Sequence, residues 1–342
     1  MNTPEDVMAP RLSGFTRAAS LGPIADFMDR QGGNITRVLS DVDLPFALLD
    51  QPEIVVPLRE QFRFLERAAR ETGDRHFGAR LGQAVTSPHL SAYGAWVCRA
   101  ETLQDAMTRA HAGLAVMLQT STNLYMRREG TRVRWSIEFV EPETEGRHHN
   151  ELLGIGYMMD VVRVYAGPKW RPHGVATALP RGEPRAELEL ILGTNVEHGD
   201  PIPSLTFDAS LLHCGHAGAG GKREDASGGA EPKLPKQNDD VATIAAVIDL
   251  ALHEAYPRIE WVAGKLGMTR RSLQRRLASH GTSFVELTEA TLQNRAKALL
   301  REGSAITDIA LELGYRDPAH FTRAFRRWTG MAPTAFRAAN GR

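Results

Sequence analysis

The feature that most constrains this chain is a near-repeat in its last hundred residues, where IEWVAGKLG at 259–267 returns as ITDIALELG at 306–314. Each copy predicts a short helix whose central alanine lets another helix cross closely and whose final glycine permits a tight turn. A capping residue, Thr269 in the first copy and Asp317 in the second, then begins a further helix. Two copies of this helix-turn-helix plan indicate one function performed twice.

The second helix of each copy has an apolar face and a polar face. Leu273 with Leu277, and Phe321 with Phe325, are spaced to pack inward at about 100° per residue. The opposite faces carry Arg271, Gln274 and Arg275 in the first copy and Ala319, His320, Thr322, Arg323 and Arg326 in the second. Arginine and glutamine bond bidentately to guanine and adenine edges in a major groove, which a helix can enter. The competing interpretation, a merely solvated helix face, suits one such helix better than a duplicated pair.

A long helix is predicted between the two copies, because apolar residues recur at helical spacing over 284–301. A rigid joint of this kind fixes the separation of the two outward-facing helices. They would then enter successive major grooves on one face of a duplex, roughly 34 Å apart.

Residues 241–342 resemble the DNA-binding domain of the AraC/XylS family of bacterial transcription regulators. The resemblance is carried by IA at 309–310, LGY at 313–315 and DPAHFTRAFRRW at 317–328, followed by Gly330, Pro333 and Arg337. It implies an all-α domain with two helix-turn-helix units joined by a long helix. One departure lies at 291–293, where TLQ stands in place of the arginine that many members carry.

The family's base-reading positions fall on residues that the helix geometry also selects. They are Arg271, Gln274 and Arg275 in the first unit, and Ala319, His320, Thr322 and Arg323 in the second. Arg326 and Arg327 extend this candidate DNA-binding set, with Arg327 expected to face a phosphate.

Charge is unevenly distributed along a chain whose formal net charge is zero. Residues 240–342 hold fifteen basic and ten acidic side chains, an excess of +5, which leaves −5 for residues 1–239. The basic C-terminal part is the expected nucleic-acid side. So small an excess predicts salt-sensitive binding through a limited number of phosphate contacts.

The first two hundred residues predict mixed structure. Helical spacing occurs at 24–30, 58–70, 103–118 and 149–165. A period-two stretch predicts a β-hairpin. It alternates Val133, Trp135, Ile137 and Phe139 with polar residues and faces a strand with Leu124 and Met126. This region is therefore expected to be α+β.

The same region resembles, less specifically, the N-terminal effector domain of AraC relatives typified by ornithine-utilisation regulators. The segments GDRHFGARLG at 73–82, AETLQDAM at 100–107 and SLTFDASLL at 204–212 carry this resemblance. It implies a small-molecule sensor domain that also dimerises, without naming the molecule.

A shift in composition predicts the domain boundary. Between these regions the chain is rich in glycine and charge and has almost no large apolar residue, which is typical of a flexible linker. We expect an effector-binding and dimerisation domain at 1–212, a linker at 213–240 and a DNA-binding domain at 241–342.

Six residues are candidates for a ligand site because they combine aromatic walls with polar tips. They are Trp135, His148, His149, Tyr157, Arg163 and Trp170. The competing interpretation treats Trp135 and Tyr157 as core residues, and the two histidines as surface residues at a helix start.

No metal, cofactor or catalytic site is expected. His213, Cys214 and His216 lie close in sequence but lack a fourth ligand at the usual zinc spacing. The chain has no phosphate-binding glycine loop and no nucleophile motif, so we expect a protein that is not an enzyme.

The remaining features concern the cell compartment. The first ten residues lack the apolar run of a secretory signal, and no stretch approaches a membrane-spanning helix. Cys98 and Cys214, the only cysteines, fit a reducing compartment. A cytoplasmic location without membrane contact is therefore expected.

Together these patterns predict a sequence-specific transcription regulator, an activator that responds to a small-molecule effector. Its expected partners are double-stranded promoter or operator DNA, the effector, RNA polymerase and a second copy of the chain. One alternative is a ligand-independent architectural DNA-binding protein whose N-terminal domain only oligomerises, which predicts no ligand-dependent stabilisation. Another is an enzyme fused to a DNA-binding domain, which predicts turnover of whatever binds.

Overall fold

The structure is a computed structural model of the 342-residue chain that describes residues 12–141, 144–217, 234–236 and 239–340, with the side chains of residues 89 and 90 left out. Two compact units are present, one formed by Gly14–Leu234 and the other by Pro235–Arg342 together with Met1–Ser13. Much of the predicted linker, residues 218–233, 237 and 238, lies outside the described residues, and the predicted domain limits stay a prediction.

The first unit mixes helices and strands, as predicted. Its strands are β1 (Phe15–Arg17), β2 (Val55–Pro57), β3 (Thr122–Glu129), β4 (Arg132–Phe139), β5 (Gly174–Thr177), β6 (Val196–His198) and β7 (Ser204–Asp208). Its α-helices are α1 (Ile24–Arg30), α2 (Ile35–Val42), α3 (Leu58–Thr72), α4 (Phe77–Ala84), α5 (Ser87–Leu90), α6 (Ala92–Cys98), α7 (Leu103–Gly113), α8 (Arg147–Ala166) and α9 (Ala186–Leu192). Short 3-10 turns occupy Ala18–Leu21, Phe46–Leu49 and Ala209–His213, and α7 continues as a wider π turn over Leu114–Leu118.

A five-stranded sheet in the order β3-β4-β7-β5-β6 organises this unit, while β1 and β2 form a separate antiparallel pair. The predicted hairpin is β3-β4, in which Leu124 faces Ile137 and Met126 faces Trp135. Gly130 lies in its turn with φ of 65°, a conformation that favours glycine. The alternation of apolar residues along β4 places one face of the hairpin in the core, because successive side chains of a strand point to opposite sides.

Helix α8 is the central helix of the unit and lies directly against α4. A Cβ on Gly156 of α8 would lie only 2.4 Å from the Cα of Gly82 on α4. A Cβ on Gly78 would lie 2.0 Å from the carbonyl oxygen of His149. Glycine at these positions therefore lets the backbones of α4 and α8 approach closely. Helix α8 also contacts strands β4 and β7 of the sheet.

The second unit is helical throughout its described residues. It consists of α10 (Asp240–Ala251), α11 (Ile259–Lys265), α12 (Arg270–Ser279), α13 (Phe284–Glu302), α14 (Ile306–Glu312), α15 (Pro318–Thr329) and α16 (Pro333–Asn340). The predicted fold class, an α+β unit followed by an all-α unit with two helix-turn-helix pairs and a long joining helix, is confirmed. No helix among the described residues has the length and apolarity needed to cross a membrane.

Candidate nucleic-acid interface and internal cavity

The first helix-turn-helix pair, α11 and α12, has the local chemistry that its sequence predicts. Gly267 turns the chain with φ of 69°, and the Thr269 hydroxyl accepts a hydrogen bond from the Ser272 backbone at 3.2 Å to begin α12. Leu273 and Leu277 are fully buried. Their burial leaves the opposite face of α12 exposed, with its side chains Arg271, Gln274 and Arg275.

The arginines of α12 divide into two classes. Arg270 lies 2.9 Å from Glu260 and Arg276 lies 2.6 Å from Asp240, so both are neutralised by an acidic neighbour. Within the described part of the chain, the side chains of Arg271 and Arg275 have no ion pair and no hydrogen bond. An exposed guanidinium without an internal partner keeps all its donors for an external one.

The second pair, α14 and α15, repeats this arrangement. Gly314 turns the chain with φ of 78°, and the Asp317 carboxylate accepts from the Ala319 backbone at 2.8 Å to begin α15. Phe321 and Phe325 are fully buried. The candidates that lie exposed on α15 are Ala319, His320, Arg323, Arg326 and Arg327.

Three members of the predicted set on α15 have a neighbour within the protein, and the first is His320, whose Nε2 lies 3.8 Å from an Asp317 carboxylate oxygen. The Thr322 hydroxyl is half-buried and donates to the Pro318 carbonyl oxygen at 2.9 Å, one turn earlier in the same helix. Arg327 lies 2.7 Å from Glu289 on α13. Arg323 and Arg326 make no ion pair among the described residues. Their guanidinium groups are therefore the ones on α15 that remain available to bind an external partner.

Helix α13 is joined to three neighbouring helices by polar contacts of two residues near its middle. Arg295, which is largely buried, lies 3.3 Å from Asp249 on α10 and 2.8 Å from Glu312 on α14. It also lies 2.9 Å from His253, and burial, aided by this positive neighbour, lowers the pKa of that histidine to about 4. Gln293 donates a hydrogen bond to the Trp328 carbonyl oxygen at 3.0 Å. The second pair is therefore bonded directly to α13, whereas α12 of the first pair is linked to it through α10, because Arg276 on α12 lies 2.6 Å from Asp240 on α10.

The first unit contains a partly open cavity of about 100 Å³ between the β3-β4 hairpin and helices α6, α7 and α8. One stripe of α8 forms much of its wall, with residues spaced three and four apart as one helix face requires. These residues are Asn150, Leu153, Gly154, Tyr157, Met158 and Val161. Trp135, Ile137 and Phe139 of β4 form the opposite wall. No acidic, basic or histidine side chain lines the cavity in the described part of the chain.

Two of the six predicted ligand residues, Trp135 and Tyr157, line this cavity. The other four lie elsewhere. His148 lines a separate cavity of about 270 Å³, Arg163 donates to Gln83 at 2.9 Å, and Trp170 packs edge-on against Phe207 with ring centroids 6.2 Å apart. The alternative that Trp135 is a core residue also holds, because it is both buried and on the cavity wall.

His149 is buried, so its interpretation as a surface residue is wrong. Its Nδ1 accepts a hydrogen bond from the Gly78 backbone at 3.4 Å, and burial lowers its pKa to about 3, which keeps it neutral. His148, His149 and Glu66 each offer a ligand atom within 4.8 Å of one another. Two imidazoles beside a carboxylate form a donor set that a transition metal accepts, so these three residues are the described group best able to hold one.

Sequence reasoning missed the polar residues that reach the cavity from other elements. Gln61, on α3, bonds Ser20 at 2.7 Å and Asn150 at 2.7 Å. Ser87, at the start of α5, also lines the cavity. The three-and-four spacing along α8 was a readable signal for the α8 wall, whereas nothing local distinguishes Ser87 or Gln61 from other polar residues.

Comparison with known proteins identifies a family model for each unit. The model of the "Arabinose-binding domain of AraC transcription regulator, N-term" matches residues 32–215, more than half of the chain. A helix-turn-helix domain model matches residues 262–339. The two matches fall on different compact units.

Individual relatives agree with these models. The chain is 27% identical over 344 residues to the HTH-type transcriptional regulator VirS of Mycobacterium tuberculosis, covering 96% of this chain and 98% of that protein. It is 36% identical over 85 residues to the ornithine utilization regulator of Pseudomonas aeruginosa, covering 25% of each. Among solved structures, the transcriptional regulator CdpR from Pseudomonas aeruginosa is 21% identical with a TM-score of 0.33, covering 76% of this chain and 86% of that one.

Proposed function

Because the chain belongs to the AraC family of transcription regulators, we propose that it is a sequence-specific activator that reads two adjacent major-groove segments and responds to a small-molecule effector. The observation that carries the proposal is the duplicated set of exposed, unpaired basic side chains on α12 and α15. Base-edge recognition needs donors of this kind that the protein does not itself consume.

The two-segment part of the proposal rests on the joint between the pairs. Arg295 bonds α13 to α10 and α14, and Gln293 bonds α13 to α15. Two helices held on one such joint cannot adjust their spacing freely. Their targets would lie about one helical turn apart, since successive major grooves on one face repeat every 10–10.5 base pairs or roughly 34 Å.

The effector part of the proposal rests on the cavity in the first unit, which lies in the segment matched by an arabinose-binding domain model. A ligand that prefers one conformation of that unit would shift the equilibrium toward it by its differential affinity. Dimerisation by this unit and activation through contact with RNA polymerase complete the proposal, and both are what the family resemblance implies.

Selection of bound duplexes from a random pool by the purified full-length chain tests the DNA-reading function. We expect an enriched motif with two conserved elements about one helical turn apart. The architectural alternative predicts retention of duplexes without an enriched motif, and that result would contradict the proposal.

A second experiment tests activation. Transcription in vitro from a promoter carrying the selected motif should rise when the purified chain is added to RNA polymerase. The matched control is the same promoter with one element scrambled. Bound DNA with unchanged or reduced transcription would refute the activator assignment and leave DNA recognition standing.

A further inference from the structure

Two buried polar groups on the cavity wall lack a partner. The indole nitrogen Nε1 of Trp135 and the hydroxyl oxygen of Ser87 are buried, and neither has a hydrogen-bond partner in the described part of the protein. Both residues line the cavity, and their side chains belong to residues only 1% and 4% exposed. Buried polar groups are nearly always bonded in native proteins, so two such groups without a partner in residues that line the same cavity require an explanation.

Most of the other polar side chains that line the cavity already have at least one partner within the described part of the protein. The Tyr93 hydroxyl donates to the Ala110 carbonyl at 2.9 Å, and the Tyr157 hydroxyl donates to the Ser20 carbonyl at 3.1 Å. Burial raises the pKa of both phenols, so they stay neutral. Gln61 is held between Ser20 and Asn150. Among the fully buried polar atoms of the lining residues, the two without a partner need one acceptor for an indole N–H and one partner for a serine hydroxyl.

The charge of the wall excludes whole classes of ligand. A carboxylate or ammonium would lose its hydration in this cavity without meeting an opposite charge, which is strongly unfavourable. A sugar would bring several hydroxyls to a wall made mainly of leucine, aromatic and other apolar side chains, and most of them would stay unbonded. Amino acids and free sugars therefore do not suit this cavity.

The size of the cavity limits the ligand further. Its volume is about 100 Å³. A dry apolar cavity of roughly 150 Å³ in another protein accepts benzene. A single ring or a short chain is therefore the size that fits with modest adjustment of the walls.

We propose that this cavity binds an uncharged, mainly apolar small molecule, one ring or a short chain in size, whose single acceptor group takes the indole N–H of Trp135. Ser87 bonds the same polar end. This inference rests on the proposed function, because it names the chemical class of the effector. It also predicts that the chain binds neither the sugar named in its family model, arabinose, nor the amino acid named in one relative, ornithine.

The test is calorimetric titration of the full-length chain with three matched probes. Acetophenone carries a carbonyl acceptor, ethylbenzene has the same size without an acceptor, and benzoate adds a charge. We expect acetophenone to bind about tenfold more tightly than ethylbenzene, since one hydrogen bond to a buried donor is worth about that factor. Benzoate, L-arabinose and L-ornithine should not bind detectably.

Variants assign the binding to the cavity. Trp135→Phe keeps a ring but removes the N–H, and it should weaken acetophenone about tenfold while leaving ethylbenzene unchanged. Trp170→Phe, outside the cavity, should change neither affinity. Ala110→Leu keeps the indole N–H but fills space on the wall, and should weaken both neutral probes. Thermal unfolding identifies any variant that fails to fold. If one of the two cavity variants, Trp135→Phe or Ala110→Leu, does not fold, the other still tests whether the probes bind in the cavity.

Several results would overturn the inference. They are no binding of either neutral probe, equal affinity for acetophenone and ethylbenzene, an equal loss of both with Trp135→Phe, or tighter binding of benzoate, L-arabinose or L-ornithine. DNA affinity measured in the same samples separates this inference from the proposed function. Cavity binding of acetophenone without a change in DNA affinity supports the ligand class and contradicts the effector response. A change in DNA affinity caused by L-arabinose and not by acetophenone supports the effector response and contradicts the ligand class.

Discussion

Removal of the Arg271 guanidinium should cost DNA specificity without costing stability. The side chain is exposed and has no ion pair or hydrogen bond among the described residues, so Arg271→Ala should change the free energy of unfolding by less than about 0.5 kcal/mol. A bidentate contact with a guanine is worth about 1–3 kcal/mol of discrimination. The affinity for the selected duplex should therefore fall roughly 5- to 150-fold.

The adjacent residue supplies a matched control. Arg270 is one position away on the same helix and is also exposed, but Glu260 lies 2.9 Å from its guanidinium. Arg270→Ala removes the same number of atoms and the same formal charge. Because that charge is already balanced, we expect a small loss that is similar on all sequences.

Fluorescence anisotropy at a fixed salt concentration measures both variants on the selected duplex and on a scrambled duplex of the same length. The decisive quantity is the ratio of the two affinities, which should drop for Arg271→Ala and stay near the wild-type value for Arg270→Ala. An equal loss of affinity on both duplexes for Arg271→Ala would refute the base-reading role of this side chain.

Three further predictions follow from contacts in the two units. Arg326→Ala should reduce the slope of log affinity against log salt by about 1, whereas Arg327→Ala should reduce it less because a glutamate already pairs with it; equal slopes would contradict this. Gly156→Ala should lower the unfolding free energy in urea by about 1–3 kcal/mol, because its new Cβ meets backbone, while Gly264→Ala in open space should raise it by about 0.5–1 kcal/mol. The pKa of His149 is about 3 in the folded state and about 6.5 in the unfolded state. The contribution of neutral His149 to the free energy of unfolding is therefore complete above pH 6.5 and declines as the pH falls toward 3, by up to about 1.4 kcal/mol per pH unit. His149→Asn should reduce this pH dependence in acid unfolding experiments, and an unchanged profile would show that another group causes it.

Local periodicity explains why the elements were predictable. The β3-β4 hairpin, α8, α13 and both helix-turn-helix pairs follow from spacings of two or of three and four residues, and their caps and glycines mark where they end. The outward faces of α12 and α15 were predictable for the same reason, because burial of Leu273 and Phe321 determines which side remains exposed.

Contacts between distant residues explain what the sequence did not reveal. The spacing along α12 cannot show that Arg270 is paired while Arg271 is not, because the pairing depends on where Glu260 lies after folding. His149 at a helix start looks like a surface residue, but the absence of a side chain on Gly78 lets α4 approach and cover it. Ser87 joins the cavity through tertiary packing, which has no local pattern.

The central claim is that one rigid joint holds two DNA-reading helices at a fixed distance, and a change in the spacing of their targets tests it most directly. Five base pairs inserted between the two elements of the selected duplex rotate the second element by about half a turn and move it along the axis. The account predicts that the affinity of the full-length chain falls to that for a duplex carrying one element alone. An unchanged affinity after the insertion would contradict the account.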